Sequence, residues 1–172
     1  MHGSQEPSPW ILRFLSLARA GGTALDLAAG SGRHSQLLLA RGYRVTAIDR
    51  EPDAQPDTPG LRKIRADLED GSPWPLGGER FDLVVVTNYL HRPILPDIVG
   101  AVAPGGLLLY ETFALGNERF GRPRNPAFLL RPGELAEVVA DRLEILAFED
   151  LELGEPRPAV IQHIAARASR SP

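Results

Sequence analysis

The chain predicts an α/β fold, a doubly wound, mostly parallel seven-stranded sheet with an antiparallel C-terminal edge strand. Three observations carry this. Short apolar runs alternate with helix-period runs through five strands. The run Phe81–Val86 is apolar at nearly every position, which suits a strand covered on both faces. The last two β-rich runs are separated only by a Gly/Pro turn.

The stretch 10–19 places apolar groups at 10, 11, 14, 15, 17 and 18, a helical stripe that ends at Gly21-Gly22. Ala24–Ala28 is a strand entering a glycine turn, and 33–41 is a helix stopped by Gly42. Arg44–Ile48 is β-rich and ends on Asp49. The next ten residues, Glu51–Gly60, hold three prolines and exclude a long helix. Leu61–Ala66 is a weaker strand, 67–80 a loop, and Phe81–Val86 the central strand. A helix is expected over 93–102, a turn at Ala103-Pro-Gly-Gly106 and a buried strand over Leu107–Thr112. Residues 113–131 lack a period and read as an excursion. Pro132 opens a helix with Glu134 near its positive end. The runs 143–153 and 159–168 form a hairpin across Gly154-Glu-Pro-Arg-Pro158.

The length of 172 residues suits one domain, taken as 9–170. The polar, tag-like residues 1–8 are expected to be disordered. A composition 43% hydrophobic and 24% charged excludes disordered, collagen-like and coiled-coil classes for the whole chain. The absence of cysteine removes disulfides, Cys-ligated zinc and a thiolate nucleophile. With 19 basic against 22 acidic residues the chain lacks the basic footprint of a nucleic-acid binder, so a small molecule is the expected partner. Eighteen of the basic residues are arginine, a bias that weakens any single arginine as a signal. No run reaches 18 apolar residues and no signal peptide opens the chain, so a cytoplasmic protein without membrane contact is expected. His34, His91 and His163 are scattered and make no metal triad. Oligomeric state is not readable.

Parallel sheets bind ligands at the carboxyl ends of their strands, so the residues after each strand matter most. After the first strand, Gly30 and Gly32 permit a tight turn and close approach of a ligand, and the helix opening at Arg33 favours an anionic group. Asp49, 17 positions beyond Gly32, is placed to accept hydrogen bonds from ribose. These features leave a choice between a nicotinamide cofactor and S-adenosylmethionine, because Gly30-x-Gly32-x-x-Ser35 is nearly a dinucleotide fingerprint. Three observations favour the methyl donor. Asp26, four residues before the turn, suits an ammonium and repels a pyrophosphate. Ala66-Asp67-Leu68 offers an acid and an apolar contact for adenine. The terminal strand pair is an edge that a dinucleotide fold does not usually need.

The segments LDLAAGSGRHS (25–35), VTAID (45–49), ADL (66–68), FDLVVVTNYLH (81–91) and APGGLLLYETF (103–113), in this order and spacing, resemble the class I S-adenosylmethionine-dependent methyltransferases, with their Rossmann-like fold. Ala28 stands where that family often has its first Gly. The resemblance implies that Asp26 and the loop of Ala28, Gly30, Gly32 and Arg33 hold the methionine part, Asp49 and Arg50 the ribose, and Asp67 and Leu68 the adenine. It also implies that Thr87, Asn88 and Tyr89 form a floor beneath the sulfonium. The remaining alternatives are an NAD-dependent oxidoreductase and a non-catalytic S-adenosylmethionine-binding protein.

Because the cofactor carries the difficult chemistry, the protein must chiefly align a nucleophile and exclude water. His91, on the loop after the fourth strand, is the candidate base for an O or N acceptor, with Tyr89 beside it. The competing role for His91 is to cap the helix starting at Pro93. His34 is expected to orient the loop or donor, and His163 to be structural. Arg119, Arg122, Arg124 and Arg131 against Glu118 give the excursion a local charge of +3, which favours an anionic acceptor. Phe113, Phe120 and Phe128 are either a pocket wall or buried loop anchors. Thr87-Asn88-Tyr89-Leu90 lacks the Asn/Asp-Pro-Pro-aromatic motif of enzymes that methylate amino groups on nucleic acids and glutamine. Asn125-Pro-Ala-Phe128 resembles that motif but follows the wrong strand. The segment Phe128–Leu135 followed by Leu143-Glu-Ile is similar to tellurite-resistance and thiopurine methyltransferases, which act on chalcogen or thiol nucleophiles. Only Arg157 lies where those enzymes place a His-Arg pair.

Overall fold

The computed structural model describes residues 5–171. Its strands are β1 (Thr23–Leu27), β2 (Arg44–Asp49), β3 (Leu61–Arg65), β4 (Phe81–Thr87), β5 (Val102–Phe113), β6 (Leu143–Leu153) and β7 (Ala159–Ala168). The helices are α1 (Pro9–Phe14), α2 (Arg33–Ala40), α3 (Leu95–Gly100) and α4 (Glu134–Val139). One sheet runs β3-β2-β1-β4-β5-β7-β6, parallel from β3 to β5 and antiparallel at both β7 pairings. The seven strands and the antiparallel C-terminal strand match the expectation. The order of the last two refines it, because β7 inserts between β5 and β6. The reason is visible in composition. β7 is buried through 161–166, whereas β6 carries Glu144, Glu149, Asp150 and Glu152 and suits an edge exposed to water.

Helices cover both faces. Val84 and Val86 of β4 pack toward α3 and α4 with Ile98, Leu135 and Val139. Leu83 and Val85 face α1 and α2 with Trp10, Ile11 and Leu38. Each such side chain, fully buried, contributes about 1.5–3 kcal/mol. Among the described residues no helix is long and apolar enough to cross a membrane.

Three local expectations shift. The helix expected over 10–19 stops at Phe14 and tightens into a 3-10 turn over Leu15–Leu17. The helix expected over 93–102 is split into a 3-10 turn (Arg92–Ile94) and α3, each with a proline in its first turn, where no N–H is required. β5 begins at Val102, five residues early, because Val102 pairs with Phe81 ahead of a register shift. Gly106 makes this possible, since a Cβ there would press against the carbonyl oxygens of Ala103 and Phe81 at 2.8 and 2.9 Å.

Of residues 1–8, expected to be disordered, residues 1–4 lie outside the described residues, but Ser8 is 3% exposed. Its hydroxyl caps α1 by accepting from the Trp10 amide, and Trp10 donates its indole N–H to Ile164. A cap with three further polar contacts holds this segment down.

Candidate active site

Crossovers leave the sheet in opposite directions at β1 and β4, which opens a crevice at their carboxyl ends. The chain turns there through Ala28 (φ 55°), Gly30 (φ 57°) and Gly32 (φ 89°), and Gly32 caps α2. Left-handed backbone costs an alanine roughly 1–2 kcal/mol, so Ala28 is accommodated rather than preferred. At Gly32 the left-handed φ favours glycine, and a Cβ there would also have to displace the Gln55 side-chain amide. Open space faces Gly30, with nothing within 4 Å of the position its Cβ would take.

Asp49 closes the turn from β2. Its Oδ2 accepts from the Gly30 amide at 2.9 Å and its Oδ1 from the Glu51 amide at 3.0 Å. Two bonds leave carboxylate lone pairs for further donors. Beside it lies a cavity of about 150 Å³ lined by Ala28, Asp49, Arg50, Ala66, Asp67, Leu68, Glu69 and Tyr89. Six of the expected site residues therefore converge. The Tyr89 hydroxyl is buried without a hydrogen-bond partner, and burial, then the Glu69 and Asp67 carboxylates, push its pKa upward. Tyr89 lines the cavity while its hydroxyl, buried beside it, lacks a partner. A free carboxylate edge for ribose, an acid beside Leu68 for adenine and open space over Gly30 fit S-adenosylmethionine.

The other expected residues take different places. Asp26 is 2% exposed and sits behind the turn, where its Oδ2 accepts from Ser35 Oγ at 2.7 Å. Burial pushes its pKa up to about 6 against the Ser35 hydrogen bonds. Arg33 donates to the Glu6 carbonyl at 3.0 Å. Asn88 is exposed at φ 55°, a conformation asparagine tolerates, and its amide donates to Glu111 O at 2.9 Å. His91 Nδ1 stands 3.7 Å from Glu69 Oε1 and makes no side-chain cap to the following 3-10 turn.

His34 joins the turn to β4. The Ser8 amide donates to its Nε2 at 3.0 Å, so that nitrogen carries the lone pair and the proton lies on Nδ1, 3.4 Å from Thr87 Oγ1. Burial, then the Arg33 charge, push its pKa down to about 4 against the pull of Glu111, which keeps the ring neutral at pH 7.

The arginine surplus of the excursion is partly spent internally. Arg119 pairs with Glu152 at 2.8 Å, and Arg131 approaches Glu134 at 3.7 Å. Phe120 and Phe128 are 38% and 42% exposed, and Asn125 caps a 3-10 turn through the Ala127 amide. Residues passed over in the sequence form a polar row near the strand ends: Ser8 donates to Glu111, and His163 lies between Glu111 and Glu149. A single acid inside the apolar run Leu107–Phe113 was the available signal for Glu111.

A family model described as a methyltransferase domain matches residues 25–109. No curated protein matches the chain. The chain is similar in structure to an S-adenosylmethionine-dependent methyltransferase from Methanosarcina mazei, at TM-score 0.69 and 20% identity, over 95% of this chain and 99% of that one. It is similar to TehB from Haemophilus influenzae, at 0.62 and 22%, over 86% and 58%. A third likeness is to 1,6-didemethyltoxoflavin-N1-methyltransferase from Burkholderia thailandensis, solved with 1,6-didemethyltoxoflavin and S-adenosylhomocysteine bound, at 0.61 and 20%, over 93% and 75%. These likenesses establish the shared fold. Residues 25–109 match a methyltransferase domain, and of the two cofactors the glycine turn left open a methyltransferase takes S-adenosylmethionine.

Proposed function

We propose that the protein methylates a small-molecule acceptor by in-line transfer to a nucleophilic oxygen, nitrogen or chalcogen atom. When bound, S-adenosylmethionine supplies the electrophilic methyl group. The observation that carries the reading is the convergence of Ala28, Asp49, Arg50, Asp67, Leu68 and Tyr89 on one cavity beside the glycine turn. In this reading Asp49 and Arg50 hold ribose, Asp67 and Leu68 hold adenine, and the Tyr89 hydroxyl finds there the partner it lacks. The turn from Ala28 to Gly32, with Arg33 following it, holds the methionine end. Asp26 acts behind it by fixing β1 to α2 through Ser35. Thr87 and Asn88 continue the floor. His91 serves as base only where the acceptor has a proton to lose, and its place beside Glu69 equally lets it steady the adenine side. The acidic balance favours a small acceptor over nucleic acid.

Calorimetric titration tests the cofactor site. Wild-type protein is expected to bind S-adenosylmethionine at micromolar levels, and Asp49→Ala to weaken binding by about tenfold or more, the worth of one charge-assisted hydrogen bond. Unchanged affinity in the variant overturns the ribose contact, and no binding by the wild type overturns the site.

A further inference from the structure

A polar row crosses the sheet near its carboxyl rim, outside the cofactor cavity. Thr87, Glu111, His163 and Glu149 pair directly across β4, β5, β7 and β6. His163 Nδ1 lies 2.8 Å from Glu111 Oε2 and its Nε2 2.8 Å from Glu149 Oε2, while Trp10 stacks on the ring at 3.6 Å. The ring is thus held between two acids, one at each nitrogen. Arg13 approaches Glu149 at 3.6 Å at the exposed end. The Glu111 side chain is 17% exposed against 46% for Glu149, so the charge withdrawn from water lies at Glu111. Among the described residues its other oxygen, Oε1, has one donor, the neutral Ser8 hydroxyl at 2.9 Å.

Ser8 bridges α2 and β5 beside the proposed floor. Its amide binds His34 in the first turn of α2, and that ring reaches Thr87. Glu111 also accepts through its carbonyl from Asn88, the next residue of the proposed floor. An anionic nucleophile would meet a carboxylate there and be repelled, whereas a cation would be attracted.

We propose that Glu111 receives and positions the methyl acceptor, that the accepting atom is an aliphatic amine nitrogen, and that the Ser8 hydroxyl holds its place on Glu111 Oε1. This rests on the methyl-transfer reading of the neighbouring cavity. The amine arrives as an ammonium and gives one proton to water. Its freed lone pair then forms the nitrogen–carbon bond as the methyl–sulfur bond breaks with its pair on sulfur. The positive charge passes from sulfur to nitrogen, beside a fixed carboxylate.

Sinefungin, an S-adenosylmethionine analogue with an amine-bearing carbon in place of the methylated sulfur, tests this without a known acceptor. Its ammonium projects where the methyl group leaves, and S-adenosylhomocysteine carries no charge there. Calorimetry is run with both ligands on wild type, Glu111→Gln and Ser8→Ala. Glu111→Gln is expected to weaken sinefungin about tenfold and leave S-adenosylhomocysteine within about twofold. A sinefungin to S-adenosylhomocysteine affinity ratio equal to wild type overturns the proposal, because a purely structural Glu111 would move both ligands together. If thermal melting shows Glu111→Gln to be unfolded, Ser8→Ala decides. Freeing Oε1 tightens sinefungin about threefold relative to S-adenosylhomocysteine, and an unchanged ratio overturns the proposal. Wild-type protein that binds neither ligand overturns the methyl-transfer reading itself.

Discussion

Replacing Asp26 by asparagine should turn a flat pH–stability profile into a steep one. Asp26 and His34 are both 2% exposed and titrate in the same window with opposite effects. Asp26 rises from 3.8 to about 6, so between those values the folded chain holds a proton the unfolded chain has lost, and stability falls as pH rises. The shift corresponds to about 3 kcal/mol. His34 falls from 6.5 to about 4, so between those values the unfolded chain holds the extra proton, and stability rises with pH. That shift also corresponds to about 3 kcal/mol. In the wild type the two slopes nearly cancel between pH 4 and 6.5. In Asp26→Asn only the histidine slope survives, and the variant should gain about 3 kcal/mol from pH 4 to 6.5. Urea unfolding followed by far-UV circular dichroism at half-unit pH steps measures this. His34→Gln, which keeps an acceptor for the Ser8 amide, should show the mirror slope. An Asp26→Asn profile parallel to wild type would refute the reasoning.

Arg92 donates to both oxygens of Glu134 and to the carbonyls of Ala127 and Leu129, tying the excursion to α4. Burial raises the Glu134 pKa, but the Arg92 hydrogen bonds override it and hold the carboxyl below its ordinary value. Arg92→Ala strands that carboxylate and should cost about 3 kcal/mol in denaturant unfolding, and a loss below about 1 kcal/mol contradicts the assignment. Arg92→Lys should recover little, because an ammonium cannot reproduce the fork. Gln55 is 2% exposed with both amide atoms unpartnered. Gln55→Met, of similar shape, should therefore stabilise the protein by about 1–3 kcal/mol and raise its melting temperature. A lower melting temperature would show that the amide has partners in solution.

The strands and the glycine turn were legible because each is written locally, in alternation, in apolar runs and in glycines at fixed offsets. Asp49 and Asp67 were legible because a parallel sheet puts strand ends on one rim. Asp26 was expected at the methionine end, and its bond to Ser35 was not legible. Strand alternation alone does not say that Ser35, nine residues on, turns its carboxylate inward. The polar row across the sheet was the hardest part to read. Ser8 and Glu111 are 103 positions apart and His163 and Glu111 are 52 apart, so no local period links them. The order at Glu6 and Ser8 was hidden for the same reason, since they hydrogen-bond to residues on α2 and β5. The order of the hairpin strands was open too, because connection length fits either one beside β5 and only the acids of β6 set it outermost.

That order has a consequence for biogenesis. β7 is synthesised after β6 yet lies inside it, so during translation β6 has no permanent neighbour and β5 shows a bare hydrogen-bonding edge until Ala168 has been made. His163 arrives with the same segment. A nascent chain held before residue 159 is thus a sticky, incomplete sheet, and a cell must shelter it or finish it quickly.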